Sequence, residues 1–175
     1  GGTGPPAALF YYSRDRAGSH ARDHLKGWSG VLQADAYSGY NKLYAADRQP
    51  APILEAACWS HGRRKFFVLA DIEAAARAKA KREKKPVLVS PLALEAVRRI
   101  DALFEIERAI NGKSPEERLA ARHEHSAPLV ADLEAWMRSH RAKLSCNNKV
   151  AEAMDYMLKR WASFARFLED GRVCL

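Results

Sequence analysis

The hydrophobic pattern of this chain changes once, at about Trp59, and that change limits the folds open to it. Before Trp59 the apolar residues form short runs of strand length, and after it they recur with the spacing of helices. Near-continuous apolar runs are typical of parallel strands that are covered on both faces. The runs therefore predict three strands of one small sheet, at Ala8–Tyr12, Gly30–Ala34 and Ile53–Cys58.

Short helices are predicted between these strands, and longer helices after them. Ser19 can cap a helix over His20–Leu25, and Gly39–Ala46 can form a second short helix. Start and stop signals then predict a helical bundle over Ser90–Asp170. The signals are a start at Ser90-Pro91 with a stop at Asn111-Gly112, a capping box from Ser114 to Glu117, a start at Pro128, and a helix from Asn147 to Asp170 before Gly171.

These elements divide the chain into an α/β part, residues 1–70, and an all-helical part, residues 71–175. A strongly basic segment lies near the division, since six of the ten residues from Ala76 to Lys85 are Lys or Arg. Such a charge run is either a solvated linker or helix end, or a contact to DNA. The sequence leaves both interpretations open.

Composition limits the class of protein. The formal net charge is +8 and the sequence pI is about 9.6, which often marks a polyanion partner but also serves solubility. The chain contains no apolar run long enough to span a membrane and no signal-peptide pattern. Its three cysteines are far apart and odd in number, which argues against a disulfide framework. We therefore expect a cytoplasmic protein without a membrane partner.

Asp35 directly follows the apolar run Gly30–Ala34, in the stretch LQADAYSGY. In open α/β sheets, ligands bind at the carboxyl ends of the strands, so a carboxylate at this position is a candidate ligand for a divalent cation such as Mg²⁺. An Asp at the end of a strand also serves as an ordinary turn residue. Spacing alone does not decide between the two, because one carboxylate is not a metal site.

The segment after the next predicted strand, Cys58-Trp59-Ser60-His61, carries a second group of candidate residues. A closed zinc site needs four ligands, and no second Cys/His pair completes one. Three cations follow, Arg63, Arg64 and Lys65. We expect them near a helix N-terminus, where the helix dipole disfavours positive charge, and such a placement indicates an anionic partner. We predict that all three side chains contact DNA phosphates. The alternative for His61 is a structural or surface role.

The chain also resembles a known family over nearly its whole length, from about Pro5 to Leu175. The resemblance rests on four segments in the same order: ALFYYSRDRAGSHARDHLKGWSGVLQADAYSGYNKLY, ILEAACWSHGRRKFF, SPEERLAARHEHSAPLVADLEAW and RWASFARFLEDGRVCL. They look like the central part of bacterial insertion sequence 66 family transposases. The QADAY and CWSHGRRKF motifs are the most specific parts of the match.

This resemblance implies a DNA transposase of the DDE type, with a partial ribonuclease-H-like α/β sheet and a large all-helical insertion. It implies two Mg²⁺ or Mn²⁺ ions held by three carboxylates, of which Asp35 matches the second, and it places His61 near the active site and the DNA. It further implies a homo-oligomer that acts on transposon ends in the bacterial cytoplasm, associated with the nucleoid.

The first catalytic Asp of the family belongs upstream of Ala8 and its Glu after Gly171, so we expect an incomplete fragment that is inactive as an isolated chain. Two hypotheses follow. The chain is either a piece of a metal-dependent transposase or a non-catalytic basic module that binds DNA or a partner chain. Asp35 and His61 favour the first hypothesis. The absence of the other two carboxylates from the match favours the second.

Overall fold

The computed structural model describes residues 7–70, 81–82 and 90–175. In these residues the protein is a mixed α/β structure that is mostly helical and contains one small parallel sheet. None of the described helices is long and apolar enough to cross a membrane.

The sheet consists of two short strands, β1 (Val31–Ala34) and β2 (Leu54–Ala57), which pair in parallel. The pairing sets Ala34 opposite Ala57. Backbone hydrogen bonds extend it at both ends, from Leu54 N–H to the Gly30 carbonyl at 2.8 Å and from Cys58 N–H to the Ala34 carbonyl at 3.0 Å. Two of the predicted strands, and their parallel direction, are confirmed.

The third predicted strand, Ala8–Tyr12, is wrong. Residues 7–13 form no regular element, and the side chains of Leu9, Phe10 and Tyr12 are 80%, 94% and 92% exposed. A strand needs a neighbour to bond its backbone N–H and C=O groups. In the described part of the chain β1 and β2 pair only with each other, so the residue preferences of this segment are not sufficient to form a strand.

Helices make up most of the described structure, and the predicted helical bundle contains no strand in its described residues. In chain order the helices are α1 (Gly18–His24), a 3₁₀ helix (Ser38–Leu43), α2 (Trp59–Phe67), α3 (Pro91–Ala109), α4 (Pro115–Ala121), a π-helical turn (Arg122–Ser126), α5 (Ala127–Arg141), α6 (Lys149–Leu158), α7 (Trp161–Ala165) and a final 3₁₀ turn (Arg166–Leu168).

The cap signals predict some of the helix starts correctly. The Ser90 side chain accepts a hydrogen bond from the Ala93 N–H at the start of α3. The Ser114 and Glu117 side chains form the complete capping box of α4. Ser19, in contrast, lies inside α1, and the cap position of α1 is Ala17, whose side chain cannot accept a hydrogen bond.

The single helix predicted over Asn147–Asp170 is also wrong, because the chain leaves helical geometry at Arg160. Arg160 has φ −125° and ψ 28°, and its guanidinium bonds Glu55 on β2 and Asn41 Oδ1. The apolar spacing continues through this point, so the periodicity does not reveal the break. The break turns α7 toward the sheet.

Trp59 joins the sheet to the helices. Its ring is completely buried and lies edge-on to the rings of Trp161, Phe164 and Phe167, with centroids 5.4–6.0 Å apart. Its indole N–H donates to the Phe164 carbonyl at 2.9 Å. One apolar core therefore contains β2 residues such as Ala56 together with buried residues of the long helices.

Candidate functional site

The parallel pairing of β1 and β2 brings two of the predicted site residues to one edge of the sheet. Asp35 follows the last residue of β1, and His61 lies in the first turn of α2, which begins two residues after β2. Cys58 is the cap residue of α2 and its carbonyl accepts from the His61 N–H at 3.2 Å. The sheet thus holds the start of α2 next to the end of β1.

Asp35 and His61 line the same cavity, which has a volume of about 560 Å³. Arg64 and Lys65 line it as well, one turn further along α2. The Asp35 side chain is partly buried, whereas His61, Arg64 and Lys65 are exposed. The other lining residues are mostly apolar or aromatic: Ala36, Tyr37, Val68, Leu69 and Tyr156.

Arg63 lies outside this cavity and contacts α3 instead. Its guanidinium donates to both oxygens of Asp101 on α3, at 2.6 and 2.9 Å, and stacks 4.9 Å from the centroid of Phe67. The hydrogen bond to Asp101 raises the pKa of Arg63. Arg63 therefore fastens α2 to α3 and does not line the cavity.

The expected position of the three cations in α2 is wrong. Arg64 and Lys65 belong to the last turn of this nine-residue helix, not to its N-terminus. The helix dipole favours positive charge at that end, so their position is no sign of an anionic partner. The observation that still favours an anionic partner is that Arg64 and Lys65 are exposed and line the same cavity. Among the described residues, no carboxylate within 4 Å pairs with Arg64 or Lys65.

Among the described lining residues, Asp35 alone carries a carboxylate. Mg²⁺ takes oxygen ligands and often uses one or two protein carboxylates together with water and substrate phosphates. The described residues contain no group of three His, Cys, Asp or Glu side chains that could hold a metal ion. The residues present fit one ligand of a cation shared with a phosphate, not a complete metal site.

The basic segment Ala76–Lys85 falls outside the described residues except for residues 81 and 82, so its two interpretations, a solvated linker or helix end and a contact to DNA, both stay predictions. Tyr156, on the other hand, is a cavity residue that the sequence does not reveal. It lies on α6, more than a hundred residues after Asp35, and a tyrosine beside the apolar stripe of a helix gives no signal of its own.

The carboxyl ends of parallel strands are where open α/β sheets bind their ligands, and this cavity lies at that position. The family model for the Transposase IS66 family matches residues 1–175, and the chain belongs to this family. This finding confirms the resemblance. No solved structure matches the chain.

Three curated relatives come from Sinorhizobium fredii (strain NBRC 101917 / NGR234). The chain is 55% identical over 175 residues to uncharacterized protein y4hP, 32% identical over 174 residues to uncharacterized protein y4jD, and 33% identical over 176 residues to uncharacterized protein y4qI. These matches cover 98–100% of this chain. They cover 31%, 31% and 30% of the three relatives, so the chain spans about a third of their length.

Proposed function

We propose that this chain supplies part of the DNA-binding active site of a metal-dependent transposase, with Asp35 as one metal ligand. One observation supports this most directly: Asp35, His61, Arg64 and Lys65 line a single cavity at the carboxyl ends of the strands. Membership of the Transposase IS66 family gives the class of reaction, cleavage and strand transfer of DNA at insertion-sequence ends.

Arg64 and Lys65 bind DNA phosphates in this proposal. Their exposed charges can neutralise phosphates that approach the cavity from solvent, and binding then releases counterions. Their place in the last turn of α2 fixes the backbone from which both side chains extend. Arg63 takes no direct part, because Asp101 already neutralises its charge.

Asp35 would hold one coordination position of a divalent cation, and His61 would donate a hydrogen bond to a phosphate oxygen or orient a water. A Mg²⁺ or Mn²⁺ ion held there would supply Lewis-acid chemistry for the scissile phosphate and the attacking oxygen. The remaining ligands must come from DNA phosphates, from water or from other parts of the longer protein. The partly buried position at the strand end restricts the directions available to the Asp35 carboxylate.

The finer architectural features belong to the same proposal. The two-stranded parallel sheet is part of a ribonuclease-H-like core within residues 1–70, and residues 71–175 form its helical insertion. The complete enzyme is a homo-oligomer that acts on DNA in the bacterial cytoplasm, at the nucleoid. The whole protein is about three times as long as this chain if it resembles its curated relatives in length.

The second candidate function is a basic module that binds DNA without catalysing a reaction. It uses the same two cations, and it is favoured by the single carboxylate of the described cavity lining. The two functions differ in Asp35: a binding module has no use for a carboxylate beside the phosphates, because it repels them. A response of DNA binding to Mg²⁺ that depends on Asp35 separates the two.

The direct test of phosphate binding is a titration of a short DNA duplex with the chain at several salt concentrations. The double variant Arg64→Glu/Lys65→Glu should flatten the slope of log K against log salt by about 1.8, since each contact contributes about 0.9. The control is Lys113→Glu/Lys143→Glu, which changes the net charge equally at two exposed positions outside the cavity. Equal slopes for the two double variants would contradict the proposal.

A further inference from the structure

The backbone after β1 is tied to a helix that lies far away in sequence. The N–H of Ala36 donates a hydrogen bond of 3.3 Å to the hydroxyl oxygen of Tyr156 on α6. Ala36 is the residue directly after Asp35, so this bond restrains the peptide that carries the Asp35 side chain. Among the described residues, no other hydrogen bond of the Ala36 N–H is present.

The ring of Tyr156 also contacts a cation of the cavity. The Lys65 ammonium lies 5.0 Å from the centroid of the Tyr156 ring, within the range of a cation–π interaction. Phe164 also contacts the Tyr156 ring, in an edge-on arrangement with 6.2 Å between the ring centroids. Tyr156 therefore contacts both the backbone next to Asp35 and the ammonium group of Lys65.

A close approach of two helices puts Tyr156 in this position. A Cβ atom on Gly62 of α2 would lie 3.1 Å from Met157 Sδ and 3.2 Å from Phe164 Cε1. Gly62 thus permits α2 to pack closely on α6, where Met157 is the neighbour of Tyr156. Lys65 lies one turn after Gly62, and this packing brings it over the Tyr156 ring.

From these contacts we infer that Tyr156 is a positioning residue of the candidate site. Its hydroxyl aims Asp35 by holding the Ala36 amide, and its ring holds the Lys65 ammonium at the cavity. The helical part of the chain then contributes a residue of α6 that positions groups of the site. This inference rests on the proposed function, because it assumes that the cavity is a DNA-binding active site. The hydrogen bond from Ala36 to Tyr156 can be tested without that assumption.

Tyr156→Phe tests the hydroxyl, because it keeps the ring and removes only the acceptor. Amide hydrogen exchange measured by NMR should show the Ala36 amide exchanging about fivefold to tenfold faster in the variant. The Cys58 amide, bonded to the Ala34 carbonyl of β1, is the internal reference for overall stability. The control variant is Tyr44→Phe, since the buried Tyr44 hydroxyl has no hydrogen-bond partner in the described structure.

Tyr156→Leu removes the ring as well, and DNA affinity should then fall about threefold relative to Tyr156→Phe, through loss of the Lys65 contact. An unchanged ratio of Ala36 to Cys58 exchange in Tyr156→Phe would overturn the inference about Asp35. Equal DNA affinity in Tyr156→Leu and Tyr156→Phe would overturn the inference about Lys65. Failure of the wild-type chain to bind DNA would refute the proposed function instead, and the Ala36 exchange would still decide the hydrogen bond.

Discussion

The carboxylate of Glu107 accepts two hydrogen bonds of 2.7 Å from Nε and Nη2 of Arg122, whose side chain is completely buried. The guanidinium also donates to three backbone carbonyls that follow α7, those of Phe167, Asp170 and Val173, at 2.9, 3.2 and 2.8 Å. A buried charge with this many partners is stable only as a complete set. Arg122 therefore fixes the last segment of the chain against α3.

Glu107→Gln should lower the free energy of unfolding by about 3–5 kcal/mol, because it leaves the Arg122 charge buried without its counterion. Urea denaturation measures the change. Glu134→Gln is the matched control, since Glu134 pairs with the exposed Arg138 and a surface pair contributes about 1 kcal/mol or less. Similar losses for the two variants would show that the Arg122 network contributes no more than a surface ion pair.

The ionisation of Tyr44 should make the free energy of unfolding depend on pH in the alkaline range. Burial, with the nearby Glu55 carboxylate, raises the pKa of Tyr44 from 10.0 to about 12. The unfolded chain then loses the Tyr44 proton at a lower pH than the folded chain does. The stability from this group is fully present below pH 10 and is lost as pH rises through about 12.

Tyr44→Phe should therefore flatten the decline of the free energy of unfolding over that alkaline range. At neutral pH the same variant should be neutral or more stable by about 1 kcal/mol, because it removes a buried hydroxyl without a partner. Urea denaturation at a series of pH values checks both effects. A parallel decline in the wild type and the variant would show that the folded state does not protect the Tyr44 proton.

The sequence predicts two of the strands, several helix starts and the strand-end position of Asp35, but not the contacts that complete the site. The parallel strands and the capping box of α4 follow from short segments whose signals are local. At the break, Arg160 bonds Glu55, which lies 105 residues earlier. The helical periodicity of the sequence does not indicate a partner so far away.

The two arginines of α2 also show that local sequence does not reveal long-range partners. Arg63 and Arg64 are adjacent and chemically identical, yet one pairs with Asp101 and the other lines the cavity. The difference arises because successive residues of a helix point in different directions, and only the position of α3 decides which of them meets a carboxylate. The packing of α2 on its neighbours, and not the sequence of α2 alone, therefore determines which of its cations line the cavity.

The isolated 175-residue chain should not cleave DNA in Mg²⁺. Two-metal catalysis requires carboxylates from more than one element, and among the described lining residues of the cavity Asp35 alone carries one. Incubation of insertion-sequence-end DNA with the purified chain in Mg²⁺ or Mn²⁺ checks this on a denaturing gel. Metal-dependent nicking that is lost in Asp35→Asn would show that this chain assembles a complete site from its own residues.

In the proposed function, Asp35 faces the same phosphates as Arg64 and Lys65 and takes part in holding a metal there. In EDTA, Asp35→Asn should bind a short duplex about fivefold more tightly than the wild type, because it removes a repelling charge from the cavity. Asp47→Asn is the control, as an exposed carboxylate outside the cavity.

The effect of Mg²⁺ on DNA affinity at constant ionic strength should therefore differ between the wild type, Asp35→Asn and Asp47→Asn. Mg²⁺ should raise the affinity of the wild type and of Asp47→Asn relative to that of Asp35→Asn, because the Asp35 carboxylate would help to hold a cation that neutralises DNA phosphates. The same response to Mg²⁺ in all three proteins, with equal affinities in EDTA, would contradict the proposed function.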